Sequence, residues 1–255
     1  MKSRKGVVSV AIRQGPRPYW EDRHVCLRLG KPHLKGWLLA VMDGHNGKAV
    51  AELCAEKIGQ IFQISDENQA EESLRNLIVN LNSQTECYLE GSTFSAALLL
   101  DNVPKATVAV LGDSPVAVLN TKGNLHISPE HNVRSNLKER KAAEERGGIY
   151  LNGYIHTDLS DLAPGLQISR ALGDSQLGKI LSREPEIYTI QNPKWVLVAS
   201  DGVFDPGHHN TSHLVEEVKK YAMQSSTAED IMKWAESRGL EDNATAIVWN
   251  LPKNK

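Results

Sequence analysis

Residues 37–47 read Trp37-Leu38-Leu39-Ala40-Val41-Met42-Asp43-Gly44-His45-Asn46-Gly47. The first six form a short apolar run, which predicts a β-strand. The run stops at an aspartate followed by a small residue, and the same event recurs. Val108-Ala109-Val110-Leu111-Gly112 runs into Asp113-Ser114, and Trp195-Val196-Leu197-Val198-Ala199-Ser200 runs into Asp201-Gly202. A fourth pair, Asp242-Asn243, immediately precedes the apolar run 244–250. One Asp-Gly alone is an ordinary turn or helix N-cap. Four acidic residues at the ends of apolar strands are placed to converge at one rim of a sheet.

Carboxylates brought together without compensation repel, and one must take up a proton. A bound cation removes that cost. Carboxylates, backbone carbonyls and water suit hard ions such as magnesium or manganese. The sequence offers no cysteine–histidine cluster, no HExxH and no EF-hand spacing. A further acidic pair stands in Arg17-Pro18-Tyr19-Trp20-Glu21-Asp22. The arginine fork there either matches phosphate oxygens or forms an ion pair on a polar loop.

Outward from these runs, further strands are predicted at 7–12, 93–100, 106–111, 115–120, 186–190 and 244–250. Asn120-Thr121-Lys122-Gly123-Asn124 reads as a hairpin turn into Leu125-His126-Ile127-Ser128. Helical periodicity marks 47–62, with a stripe of Val50, Leu53, Cys54, Ile58 and Ile61, and 65–89, with Leu74, Leu77, Ile78 and Leu81 behind Ser65 or Asp66 as N-cap. Residues 135–146 are helix formers stopped by Gly147, and their charges read as a solvated face with i,i+4 pairs. Two late helices are predicted over 211–223 and 227–238. Strands, two helices, a run of strands, late helices and a last strand are not regular β-α-β alternation. The order predicts an α+β domain on mostly antiparallel sheet.

Composition bounds the function. The chain has 255 residues, 40% hydrophobic and 24% charged, so it can bury a sizeable core without disulfides. A net charge of −2 gives no basic field for nucleic acid or an anionic membrane. No apolar stretch approaches the roughly 20 residues of a membrane helix. Cys26, Cys54 and Cys87 are odd in number and far apart, which suits a reducing compartment. His208, His209 and His213 read as loop and cap residues rather than ligands. No repeat or linker divides the chain, so 1–255 is expected to be one domain.

The motifs then arrive in a recognisable order: RPYWED at 17–22, VMDGHNG at 41–47, GSTFSAALL at 91–99, VLGDS at 110–114, SPEHN at 128–132, ERGGI at 145–149, GLQISRALGD at 165–174, EPEI at 184–187, VASDGVFD at 198–205 and EDNATAIV at 241–248. In that order, from about Gly6 to Trp249, the chain resembles the metal-dependent protein serine/threonine phosphatases of type 2C, the PPM family. The resemblance implies an antiparallel β-sandwich with helices on both outer faces, an α-β-β-α arrangement in four layers. It implies one catalytic domain with no separate regulatory domain, and a cleft holding two manganese or magnesium ions, with a weaker third in some members.

By motif, Asp43 would bridge both metals and the Gly44 carbonyl would bind one of them. Asp201 and Asp242 would complete the other shell. Glu21 would hold metal-bound water, with Asp22 supporting that side. Asp113 and Asp205 match the residues of the third site. Arg17 would bind the substrate phosphate, His45 matches the proposed general acid, and Asn243 is expected to be structural. The implied reaction is hydrolysis of phosphoserine and phosphothreonine in proteins, by attack of a metal-bridging hydroxide on phosphorus. The implied partners are a phosphoprotein substrate and a cognate serine/threonine kinase, with no nucleic acid and no membrane. A monomer in the cytoplasm is expected. Two other readings stand beside it: a non-catalytic phosphoprotein-binding or regulatory module, and a two-metal hydrolase of small phosphoesters. The chain departs from the family pattern at Pro115, where arginine is usual, at Glu130-His131, and over 150–164. The flap of the family is placed within 132–150.

Overall fold

The computed structural model describes residues 6–31, 34–160, 165–204 and 214–252. The unbroken apolarity of residues 37–42 in β3 (Leu34–Met42) has a simple cause, which is burial on both faces. Leu38, Ala40 and Met42 enter one hydrophobic layer, while Leu39 and Val41 enter another. The same alternation runs through β6 (Phe94–Leu100), β7 (Lys105–Leu111) and β8 (Val116–Asn120). It continues in β15 (Pro193–Ala199) and β16 (Ala244–Asn250). Every residue of β6 is buried, which a sheet covered on one side does not produce.

Two five-stranded antiparallel sheets result. With β1 (Val7–Arg13) and β9 (Leu125–Ile127), one runs β1-β16-β15-β8-β9. With β2 (Arg23–Lys31) and β14 (Glu186–Gln191), the other runs β14-β7-β6-β3-β2. The layer between them holds Leu39, Val41, Val108, Val110, Val196, Val198 and Ile247. Outside the second sheet lie α1 (Ala49–Ile61) and α2 (Ala70–Thr85), packed through Val50, Cys54, Ile58, Leu74, Leu77 and Leu81. Two short antiparallel pieces, β4 (Gly44–His45) and β5 (Gly91–Ser92), continue beyond that sheet. Among the described residues no helix is long and apolar enough to cross a membrane.

A separate small core gathers around α3 (Leu137–Glu145) and the antiparallel strands β10 (Ile149–Leu151), β11 (Tyr154–His156) and β12 (Gly165–Leu166). The strand β13 (Leu172–Gly173) then pairs with β5. Outside the first sheet lie α4 (Asp201–Phe204), α5 (Val215–Gln224) and α6 (Ala228–Ser237), packed through Val203, Val218, Ile231 and Ala235. The fold is thus the expected helix-flanked sandwich.

Some elements differ in detail from expectation. The helix expected over 65–89 is a 3-10 turn at Glu67–Gln69 followed by α2, and Asp66 caps the turn by accepting from the Asn68 amide at 2.7 Å. The helix expected over 211–223 is described from Val215 onward, since 211–213 lie outside the described residues. Thr227 and Asp230 close a capping box on α6. The turn at 120–124 forms as expected, with Asn120 Oδ1 accepting from the Lys122 and Asn124 amides at 3.0 Å each.

The expectation of a wholly solvated α3 face needs correction. Lys138, Lys141, Glu144 and Glu145 are exposed, but Glu139 turns inward and is buried. Arg170 grips both Glu139 oxygens at 2.6 and 3.0 Å, and Ser169 donates a third bond. Burial pushes the Glu139 carboxyl up, but these bonds outweigh it and bring it down to about 2. Arg140 stacks on the Tyr150 ring, and Arg146 donates to the carbonyls of Ile180 and Ser169.

Candidate active site and metal centre

The two sheets feed one cleft of about 350 Å³. Arg17, Glu21, Asp43, Gly44, His45, Asp113, Asp201 and Asp242 all line it. They come from chain positions up to 225 residues apart, since Arg17 Nη2 meets Asp242 Oδ2 at 2.7 Å. Asp43 sits where β3 ends, Asp201 where β15 ends, and Asp242 just before β16. The sandwich therefore does what the strand-end aspartates suggested and brings both sheets' carboxylates to one rim.

Asp22 lies beneath the cleft rather than on its wall, and only 2% of it is exposed. Its Oδ2 accepts from Ser200 Oγ and Thr245 Oγ1, each at 2.7 Å, while Oδ1 is buried without a hydrogen-bond partner. Asp205 falls outside the described residues, as do His208, His209 and His213.

The electrostatics are those of a site short of positive charge. Withdrawal from water, then Asp201, Asp22, Asp242 and Asp113, push the Asp43 carboxyl well above its ordinary range. Withdrawal from water followed by Asp113 and Asp242 does the same to Asp201. Burial raises Asp22 to about 6 in spite of its two hydroxyl donors. Asp113 is raised too, although Asn132 Nδ2 donates to its Oδ2 at 2.9 Å. Among the described residues no three acidic, histidine or cysteine side chains are already closed into a metal-holding group. Asp242 is turned to Arg17, Asp22 to its hydroxyls and Asp113 to Asn132. The donor set is nonetheless entirely oxygen, crowded and negative, which is the chemistry that takes a hard divalent cation.

Arg17 is exposed and adopts the ion-pair alternative in this structure, with Nε also donating to the Glu241 carbonyl at 3.4 Å. Asn243 behaves as the structural residue it was expected to be. Its Nδ2 donates to the carbonyls of Gln14 and Tyr19, and its Oδ1 accepts from the Glu21 amide at 2.7 Å. The loop carrying Arg17, Glu21 and Asp22 is thereby tied to the segment, just before β16, that carries Asp242.

Asp174 is the residue that sequence reasoning missed. It is 2% exposed, and its Oδ2 stands 2.8 Å from His45 Nε2. The Asp174 amide donates to the Glu90 carbonyl at 2.9 Å, and Arg183 donates to the carbonyls of Ala171 and Gly173 just before it. Its only sequence signal is its place at the end of the 165–174 motif, which says nothing of a partner 129 residues away. Tyr154, Gly165, Leu166, Gln167 and Ile168 also line the cleft, so part of the stretch that departs from the family pattern forms one of its walls.

Comparison with known proteins agrees with this geometry. A family model described as protein phosphatase 2C matches residues 8–244. The chain is 27% identical to a probable protein phosphatase 2C 27 of Oryza sativa subsp. japonica, covering 92% of this chain and 72% of the relative. It is 32% identical to a probable protein phosphatase 2C 58 of Arabidopsis thaliana, covering 83% and 75%. The crystal structure of a serine-threonine phosphatase 2C from Toxoplasma gondii superposes with a TM-score of 0.76 at 18% identity, covering 97% of this chain and 95% of that one.

Proposed function

Because this chain belongs to the protein phosphatase 2C family, and is a serine/threonine protein phosphatase, we propose that it releases phosphate from phosphoserine and phosphothreonine in proteins at the cleft between Arg17, Asp43, His45, Asp201 and Asp242. The carrying observation is the crowding of carboxylates from both sheets at one rim. Asp43, Asp201, Asp242 and the Gly44 carbonyl would hold two magnesium or manganese ions, backed by Glu21 and Asp22, with Asp113 and Asp205 toward a weaker third. Bound there, the ions would supply Lewis acidity, making water in the cleft a better nucleophile and neutralising charge on the phosphoryl group.

The chain's own side chains do the rest. Arg17 stands at the mouth with its planar fork toward the carboxylates. Exchange of Asp242 for a phosphate would replace a single carboxylate contact at Nη2 with an oxyanion that the whole fork can grip. His45 carries the proton that the departing serine or threonine oxygen requires. Asp174 accepts from its Nε2–H and stabilises the imidazolium, whose Nδ1–H is then the group that delivers that proton and returns to a neutral ring. No side-chain nucleophile is needed, and the three free cysteines, one exposed, one half-buried and one buried, are spectators. The proposal includes a serine/threonine kinase whose products this chain reverses, and a cytoplasmic setting, which unpaired thiols suit.

Asp43→Asn and Asp201→Asn are each expected to lower turnover of a phosphothreonine peptide by at least about a thousandfold while the fold survives, since charge stabilisation at the phosphoryl group supplies most of the acceleration. Wild-type turnover by either folded variant would remove the assignment. A protein phosphatase further prefers the phosphopeptide to p-nitrophenyl phosphate in kcat/KM, whereas a small-phosphoester hydrolase shows the reverse.

A further inference from the structure

The hairpin β10–β11 has two unlike faces. Tyr150 and Ile155 point into the small core with Leu166. Ile149, Leu151, Tyr154 and His156 point the other way, and the register pairs Ile149 with His156 and Leu151 with Tyr154. Ile149 is 38% exposed, Leu151 44% and Tyr154 41%, while His156 is half-buried. Tyr154 and His156 lie ring to ring with centroids 6.3 Å apart. Scattered exposed apolar residues need no explanation, but Ile149, Leu151 and Tyr154 together on one sheet face, beside His156, are a patch.

The patch is continuous with the catalytic cleft. Tyr154 belongs to both, and Gly165, which lines the cleft, pairs with His156 on the adjacent strand. Neighbouring strands lie about 4.8 Å apart, so Leu151 and Ile149 are about 5–10 Å beyond the cleft wall. An extended peptide spans that distance in two or three residues. Asn152 and Gly153 turn with φ of 50° and 95°, which is the two-residue hairpin that suits an Asn-Gly pair.

We propose that this outer face of the hairpin, Ile149, Leu151, Tyr154 and His156, is a substrate subsite that takes an aliphatic or aromatic side chain two or three residues from the phosphorylated one. The inference rests on the phosphatase reading and adds a preference to it. The substrates it selects carry an apolar residue beside the phosphosite, and an acidic residue there loses the contact.

The test uses phosphothreonine peptides in which one flanking position at a time, up to three residues on either side, is leucine or aspartate. At one position the leucine peptide is expected to exceed the aspartate peptide by about tenfold in kcat/KM, the low end of what an apolar contact discriminates. Ile149→Ser with Leu151→Ser is expected to bring the two peptides within about twofold, through KM, while hydrolysis of p-nitrophenyl phosphate is unchanged. Both residues are exposed, so the fold survives, and thermal melts check this. No leucine preference at any position, or a preference that persists in the double variant, overturns the subsite and leaves the phosphatase reading intact. Concentration-dependent dimerisation abolished by the double variant, without a leucine preference, overturns it by giving the face to a second copy. Folded protein that hydrolyses none of these substrates overturns the phosphatase reading and the subsite with it.

Discussion

A Cβ on Gly91 would lie 2.0 Å from Asp174 Oδ2 and 2.2 Å from His45 Nε2, far inside contact distance. The absence of a side chain there is what lets the histidine and the aspartate meet. Gly91→Ala is therefore expected to push the pair apart, and Asp174→Asn to leave the ring beside a neutral amide in place of a carboxylate. Each lowers kcat for a phosphopeptide by about tenfold to a hundredfold, as loss of an orienting partner does, and each alters the limb of the pH–rate profile that reports the general acid. Unchanged kcat and pH profile in both variants would show that the contact is structural. At this scale the sequence is legible where a residue's neighbours in the chain announce it. Asp43, Asp201 and Asp242 stand at strand ends, and all three line the cleft. Asp174 does not announce itself, because its importance lies in a partner that only folding brings near.

Among the elements, central strands are readable and edge pieces are not. β2 escapes detection because Arg23, Arg28 and Lys31 interrupt its apolar residues, as an edge strand permits. The hairpin at 149–156 escapes it too, although Asn152-Gly153 is a strong turn signal, because its strands have only three residues each. The loop between β9 and α3 makes stability depend on pH. His131 is wholly buried, and its Nδ1 accepts from the Gly112 amide at 3.0 Å, next to Asp113. Burial, then Arg170, push its pKa down to about 4, against the opposing pull of Glu139 and Glu186. A histidine lowered on folding favours the neutral ring. Its contribution to stability is present above its ordinary pKa near 6.5 and is lost as pH falls toward 4. Denaturant unfolding at pH 7 and pH 5 is expected to show a smaller loss for His131→Asn than for the wild type, since the amide oxygen still accepts from Gly112 but does not titrate. Equal losses in the two proteins would contradict this.

For the whole molecule, the site is a source of repulsion between two sheets that otherwise share an apolar layer. Asp43 ends a strand of one sheet, while Asp201 and Asp242 flank strands of the other. The raised carboxyls contribute stability at low pH that is lost as pH rises through their folded values, so metal-free protein is expected to weaken as the site ionises. In EDTA at neutral pH, Asp43→Asn is expected to be more stable than the wild type by about 1–3 kcal/mol, because a repelled charge is gone. Adding manganese reverses the order, since a cation at about 100 times its Kd adds about 2.7 kcal/mol to the protein that binds it. A metal-free variant less stable than the wild type would mean that the carboxylates are satisfied without a cation. The sandwich itself is legible from the order of its motifs. The closing of the cleft by Tyr154 and 165–168 is not, because these residues carry no strand-end or charge signature.

The most direct measurement is phosphate release from a phosphothreonine peptide by the purified chain, first in EDTA and then after excess manganese is returned. The account predicts no release in EDTA and full recovery on adding the metal. Release that persists in EDTA, or none with any divalent cation from protein shown to be folded, would contradict it.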